Sequence, residues 1–259
     1  MELDHRPLLL APGEGETTTD RPERTLRILA ELDDVIVTWF RYDPGEKGPD
    51  PHVHRRHTDA FFVLEGEVEF SLGPQLQRMT GRPGTFAAAP PNLVHTFRNA
   101  SDSTAVFLNF HSPSLGFGDV LRGHGEEGFD QFDPPADGGR PLAEAVFNSP
   151  GEGELIENEK GSRLIKADLP HVTAIDLTFQ PVFEGVGLHA HDDHVDLFYV
   201  LEGEIEFLEA SGARRAGPGT FFAAPRGTEH GFRNPGAGPI RFLNVHAPPG
   251  DFLRVVRRG

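Results

Sequence analysis

Two histidines separated by one residue place both imidazoles on the same face of a β-strand, because alternate strand residues project together. The chain has such a pair at His52 and His54, followed by Asp59 and, farther on, His95. The same residue types return in the same order at His189, His191, Asp196 and His230. Arg55 to Thr58 reads as a turn that resets side-chain parity, so Asp59 can face inward again at the start of the next strand. His95 follows Pro90-Pro91-Asn92 and heads a strand of its own. Three imidazoles and one carboxylate brought together would bind a divalent metal, leaving open positions if the ion is six-coordinate. The expectation is therefore one metal site per copy, up to two ions per chain.

Other histidines recur as well. Of the 13 in the chain, five pairs match between the copies: 52/189, 54/191, 57/194, 95/230 and 111/246. His57 and His194 fall in the expected turn and read as neighbours of the ligands rather than ligands. His111 and His246 read as strand-end or pocket-wall residues. Phe61, Phe97, Phe198 and Phe232 read as barrel lining, which in a small barrel also serves as an apolar pocket wall. No residue is assigned as a general acid or base; Asp192, Asp193 and Glu229 are near in sequence but read as a solvated loop. Arg55-Arg56 in the first copy stands where the second has Asp192-Asp193, so the second mouth should attract cations more strongly.

The elements that must hold these residues form an internal duplication. His52–Phe70 and His189–Phe207 share twelve of nineteen positions at an offset of 137. Residues 11–16 and 149–154 match at an offset of 138, and Pro83–Asn99 and Pro218–Asn234 at 135. The expected division is a first domain over 1–122, a breaker-rich linker over 123–141 with a lid as its alternative role, and a second domain over 142–259. Each copy is rich in short β-branched and aromatic runs between Gly/Pro turns, which predicts an all-β sandwich or barrel. Glu65-Gly66-Glu67 and its counterpart at 202–204 are expected to close hairpins, with glycine taking the turn conformation. Helical turns are expected only over 115–121, 142–147 and 252–256.

Composition narrows the partners. The net charge is −16, which disfavours nucleic acid and anionic membranes. Cysteine is absent, which removes disulfides, thiolate metal sites and thiol nucleophiles. No apolar run approaches the length of a membrane span or a signal peptide, so a cytoplasmic location is the default expectation. A small-molecule substrate or ligand remains as the partner, and a homo-oligomer is compatible with the sequence.

These residues resemble the cupin superfamily, and the tandem copies resemble a bicupin of the quercetinase type. The first cupin motif matches His52, His54, Asp59 and Gly66, and again His189, His191, Asp196 and Gly203. The second matches Pro90, Asn92, His95 and Asn99, and again Pro225, Gly227, His230 and Asn234. Asp stands where the family usually has Glu, and Asn92 stands where it has Gly; Asn tolerates the positive φ that such a turn requires. The resemblance implies two jelly-roll (double-stranded β-helix) barrels and a divalent metal such as Fe, Mn, Ni, Cu or Zn. It covers several chemistries. A metal-dependent, dioxygenase-like oxidoreductase acting on a small apolar or aromatic substrate is the leading expectation. A non-redox decarboxylase or isomerase and a non-catalytic ligand-binding protein are the alternatives.

Overall fold

The computed structural model of the chain describes residues 6–125, 128–181 and 183–258. His5 lies outside these residues. Helix is confined among them to two five-residue segments, and the rest of the regular structure is β. No helix among them is long and apolar enough to cross a membrane.

The strands follow the duplication. β1 (Leu8–Leu10) comes first, and then β2 (Glu16–Arg21), β3 (Arg24–Glu31), β4 (Ile36–Tyr42), β5 (Thr58–Glu65), β6 (Val68–Leu72), β7 (Gln77–Gly81), β8 (Phe86–Ala89), β9 (His95–Arg98) and β10 (Ala105–Ser112) complete the first copy, closed by helix α1 (Phe117–Leu121). The second copy repeats the series as β11 (Val146–Asn148), β12 (Glu154–Asn158), β13 (Gly161–Asp168), β14 (Thr173–Phe179), β15 (Val186–His189), β16 (Val195–Glu202), β17 (Ile205–Glu209), β18 (Gly212–Ala216), β19 (Phe221–Ala224), β20 (His230–Arg233), β21 (Ile240–Ala247) and helix α2 (Phe252–Val256). One unit joins a seven-stranded sheet, β11-β8-β5-β10-β4-β3-β2, to a three-stranded sheet, β7-β6-β9. The other joins β1-β19-β16-β21-β14-β13-β12 to β15-β20-β17-β18. Each is the jelly-roll arrangement that the resemblance implies.

Three expectations are corrected. The Glu-Gly-Glu turns do not close hairpins: β5 pairs with β10 and β8, while β6 pairs with β7 and β9 in the other sheet. Gly66 (φ +67°) is a corner where the chain passes between sheets, and a Cβ there would sit 2.2 Å from the Thr104 carbonyl oxygen. Gly203 (φ +76°) does the same against Pro239. The second correction concerns the domain boundaries. The compact units comprise residues 15–152 with 169–171, and 1–14 with 153–168 and 172–259, so the stretch 123–141 belongs to the first barrel rather than bridging two domains. The first strand of each repeat is exchanged: β11 pairs with β8 of the first barrel and β1 with β19 of the second. Finally, residues 142–147 are not helical, because Val146 and Phe147 are held in a strand at that sheet edge. The other two helical turns form where expected.

Each barrel encloses a phenylalanine-rich core. In the first, Phe40, Phe61, Phe70, Phe97 and Phe107 pack with Leu26 and Tyr42. In the second, Phe179, Phe198, Phe207, Phe222, Phe232 and Phe242 pack with Leu177 and Ile165.

Candidate metal centre and its cavity

In both copies the predicted ligands meet. One donor atom each from His52, His54, Asp59 and His95 lies within 4.8 Å of the others, and so it is for His189, His191, Asp196 and His230. β9 and β20 supply the second-motif histidine, β5 and β16 the aspartate. The turn before β9 works as expected: Asn92 takes φ +65° and its counterpart Gly227 +72°.

The hydrogen bonds around the imidazoles decide which nitrogen faces inward. His52 Nδ1 donates to the Asp50 carbonyl (2.8 Å), His54 Nδ1 to the Asp130 carbonyl (2.5 Å) and His95 Nδ1 to the Leu93 carbonyl (3.0 Å). A carbonyl can only accept, so Nδ1 carries the proton and the Nε2 of a neutral ring offers a lone pair. Burial keeps the first two rings neutral, pushing His52 down to about 2 and His54 to about 4. His52 Nε2 and His54 Nε2 thus face each other as two acceptors 3.2 Å apart. Such lone pairs repel unless a cation lies among them, so the donor set fits a divalent metal.

The aspartates are short, and the structure shows how they reach. Asp59 Oδ1 accepts from Asn109 Nδ2 and lies 3.2 Å from His111 Nε2. This anchors one oxygen and leaves Oδ2 directed at His95 Nε2 (3.1 Å) and His54 Nε2 (3.8 Å). Asp196 is held identically by Asn244 and His246, with Oδ2 at 3.1 Å from His230 Nε2 and 3.9 Å from His191 Nε2. Burial alone would raise both carboxyls, but the surrounding imidazoles, His111 and His246 foremost, hold them below the usual range as carboxylates. In the second barrel, burial opposes a charge on His230, yet its bond to Asp196 raises its pKa. Asn109, His111 and their counterparts were missed as anchors. Their i, i+2 spacing on a strand adjacent to the aspartate, repeated at an offset of 135, was the available signal.

Asp130 was also missed, and it has no repeat partner to announce it. Its Oδ2 accepts from the Arg55 amide (3.1 Å), the Arg56 amide (2.7 Å) and His57 Nδ1 (3.0 Å). Val53 and Phe132 exchange backbone hydrogen bonds of 2.9 and 3.0 Å, and the Phe129 ring lies against His54, His57 and His111. The stretch read first as a linker therefore covers the first donor set. Arg55 and Arg56 are spent on this cover, one over the Phe132 ring and the other 3.6 Å from Asp130. His57 and His194 are buried beside the donor sets; His194 bonds the exposed Asp193 (2.7 Å).

The second centre opens instead into a cavity of about 200 Å³. His189, His191, Asp196, Asn244 and His246 form its floor, and Leu177, Phe179, Phe183, Phe198 and Phe232 its walls. Phe198 and Phe232 line this cavity, whereas Phe61 and Phe97 belong to the first barrel's aromatic core. Among the residues lining the cavity, Asp196 is the sole acid and Arg163 the sole permanent cation.

Comparison with known proteins agrees with this architecture. The family model described as "Cupin domain" matches residues 38–111 and again 176–246. Quercetin 2,3-dioxygenase of Bacillus subtilis is 30% identical over 103 residues, covering 39% of this chain and 30% of that protein. Germin-like protein subfamily 2 member 1 of Arabidopsis thaliana is 31% identical over 129 residues, covering 48% and 56%. The matched regions therefore span between about a third and little more than half of these relatives. Among solved structures, a putative glyoxylate induced protein from Pseudomonas aeruginosa superposes with a TM-score of 0.70 at 17% identity, over 96% of this chain and 92% of that one. A Lactobacillus farciminis oxalate decarboxylase superposes with a TM-score of 0.63 at 15% identity, over 94% and 86%. With both domain matches falling on the two barrels and their histidine–aspartate centres, the chain belongs to the cupin family and is a bicupin.

Proposed function

We propose that the chain is a metal-dependent oxidoreductase of the dioxygenase type, with its reaction in the second barrel and a structural ion in the first. The observation that carries this reading is the continuity of donors and cavity: His189, His191 and Asp196 line the same apolar space that would receive a substrate. His189, His191, Asp196 and His230 would hold the reactive ion; His52, His54, Asp59 and His95 the other. A bound divalent ion supplies Lewis acidity there and, if redox-active, electron transfer between an enediol-type substrate and dioxygen.

The protein's own part is placement. Asn244 and His246 fix Asp196 so that one oxygen faces the donors. The Gly187 and Thr228 carbonyls accept from His189 Nδ1 and His230 Nδ1, which turns each Nε2 inward. Phe179, Phe183 and Phe232 exclude water and fit a flat apolar body. A decarboxylase or isomerase would need a further acid or base, and Asp192, Asp193 and Glu229 are absent from the residues lining the cavity.

The test is oxygen uptake with flavonols and other enediols after loading with iron, nickel or manganese. Uptake that disappears in His191→Ala but persists in His54→Ala is the expected result. Silence across the panel with both ions bound by elemental analysis would sink the reading.

A further inference from the structure

Arg163 is half-buried, at a place where the first barrel has the core residue Leu26. It lies on β13 two residues before Ile165, a core residue, so both side chains point into the barrel. Its strand partner is Leu177, and both line the cavity. In the first barrel the matching pair is Leu26 and Phe40, both buried in the aromatic cluster. The second barrel thus replaces an apolar packing residue with a guanidinium. That group lies 5.7 Å from the centre of the Phe179 ring and forms no ion pair with any carboxylate among the described residues. Arginine cannot shed its proton, and a cation facing an apolar wall is costly unless an anion meets it.

We propose that Arg163 receives the carboxylate of a small amphipathic acid whose apolar body lies against Phe179, Phe183 and Phe232. This deepens the reading of the second barrel as the reactive site and rests on it for the role of the acid as substrate. The fork of the guanidinium suits a carboxylate held by two hydrogen bonds. The size is set by the cavity: about 200 Å³ exceeds the roughly 150 Å³ that encloses benzene, so one ring with a short acidic arm fits.

The test uses benzoate and its neutral counterpart benzamide, titrated calorimetrically into the full chain, once loaded with zinc and once stripped with chelator. Benzoate should bind at least about tenfold more tightly than benzamide in both states, as expected for a charge-assisted pair. Arg163→Leu should remove that preference while leaving benzamide binding within about twofold, and Arg163→Lys should keep part of it. Arg163→Gln serves as the second neutral variant should the leucine variant fold poorly. A preference that survives both neutral variants overturns the proposal, as does a lack of binding by either probe. A preference that vanishes in stripped wild-type protein, yet persists in zinc-loaded Arg163→Leu, puts the acid on the ion: it overturns the Arg163 assignment and leaves the metal-centre reading standing. A preference intact in protein shown to hold no ion under any loading supports Arg163 and overturns the metal-centre reading instead.

Discussion

In the first barrel His54 lies under Phe129 and donates to the Asp130 carbonyl; in the second, His191 keeps 23% of its side chain exposed and borders an open cavity. The inner surroundings of the two are nearly superimposable: an aspartate anchored by asparagine and histidine, with its free oxygen among imidazoles. The divergence lies outside that shell. The first copy adds the 129–132 segment and fills its interior with Leu26, Phe40 and Tyr42; the second has Arg163, Leu177 and Phe179 at those places and retains space. Ligand geometry tolerates little change, because four donors must converge. The walls and cover tolerate much, because they need only exclude water or admit a substrate. Duplication thus allowed one centre to be covered by the 129–132 segment and the other to border a cavity.

The comparison breaks most visibly at the aspartates. Asp196→Ala should lower oxygen uptake by more than about a hundredfold, as expected when a ligand to the reactive ion is lost. Asp59→Ala should leave uptake within a few-fold and lower thermal stability, since Asn109, His95 and His111 lose a buried partner. The opposite pattern would assign the reaction to the first barrel. Next in size is Asp130→Ala, which strips acceptors from two backbone amides and His57. It should cost about 2–4 kcal/mol in chemical denaturation. It should also speed chelator extraction of the first ion, leaving the second unchanged.

Filling the cavity sharpens the comparison further. Leu177→Phe copies Phe40 of the first barrel and should weaken substrate binding about tenfold, read as a rise in KM, with a stability change of about 1–3 kcal/mol at most. The gentlest test is pH. In addition to His52 and His54, burial pushes His57 down to about 4; in the second barrel His191 also falls to about 4 and His194 shifts downward. The unfolded rings titrate near 6.5, so between about 6.5 and 4 the unfolded chain binds more protons than the folded one, and stability rises with pH. The melting temperature of metal-free protein should therefore fall as pH drops through that window. The slope should flatten in His54→Gln/His57→Gln more than in His191→Gln/His194→Gln, because the first barrel's rings are more deeply buried.

Much of this was legible in the chain. Strand periodicity put His52 beside His54, the repeat doubled the set, and Gly66 and Asn92 marked backbone turns that the structure contains. The hairpin reading failed because alternation defines a strand but not its partner: Gly66 turns the chain into the other sheet against Thr104. The domain boundaries failed for a related reason. β1 and β11 are three-residue strands whose pairing depends on which sheet edge is open, not on their own residues.

What the sequence determined by itself was the donor set, its duplication and an all-β sandwich or barrel, because these follow from local periodicity and residue chemistry; the jelly roll came from the family resemblance. Tertiary structure alone decided which centre is covered, which opens on a cavity, and that Asp130 and Arg163 belong to them. Those roles depend on contacts between residues far apart in the chain, Asp130 with His57 and Arg163 with Phe179's cavity wall, for which no short-range pattern exists.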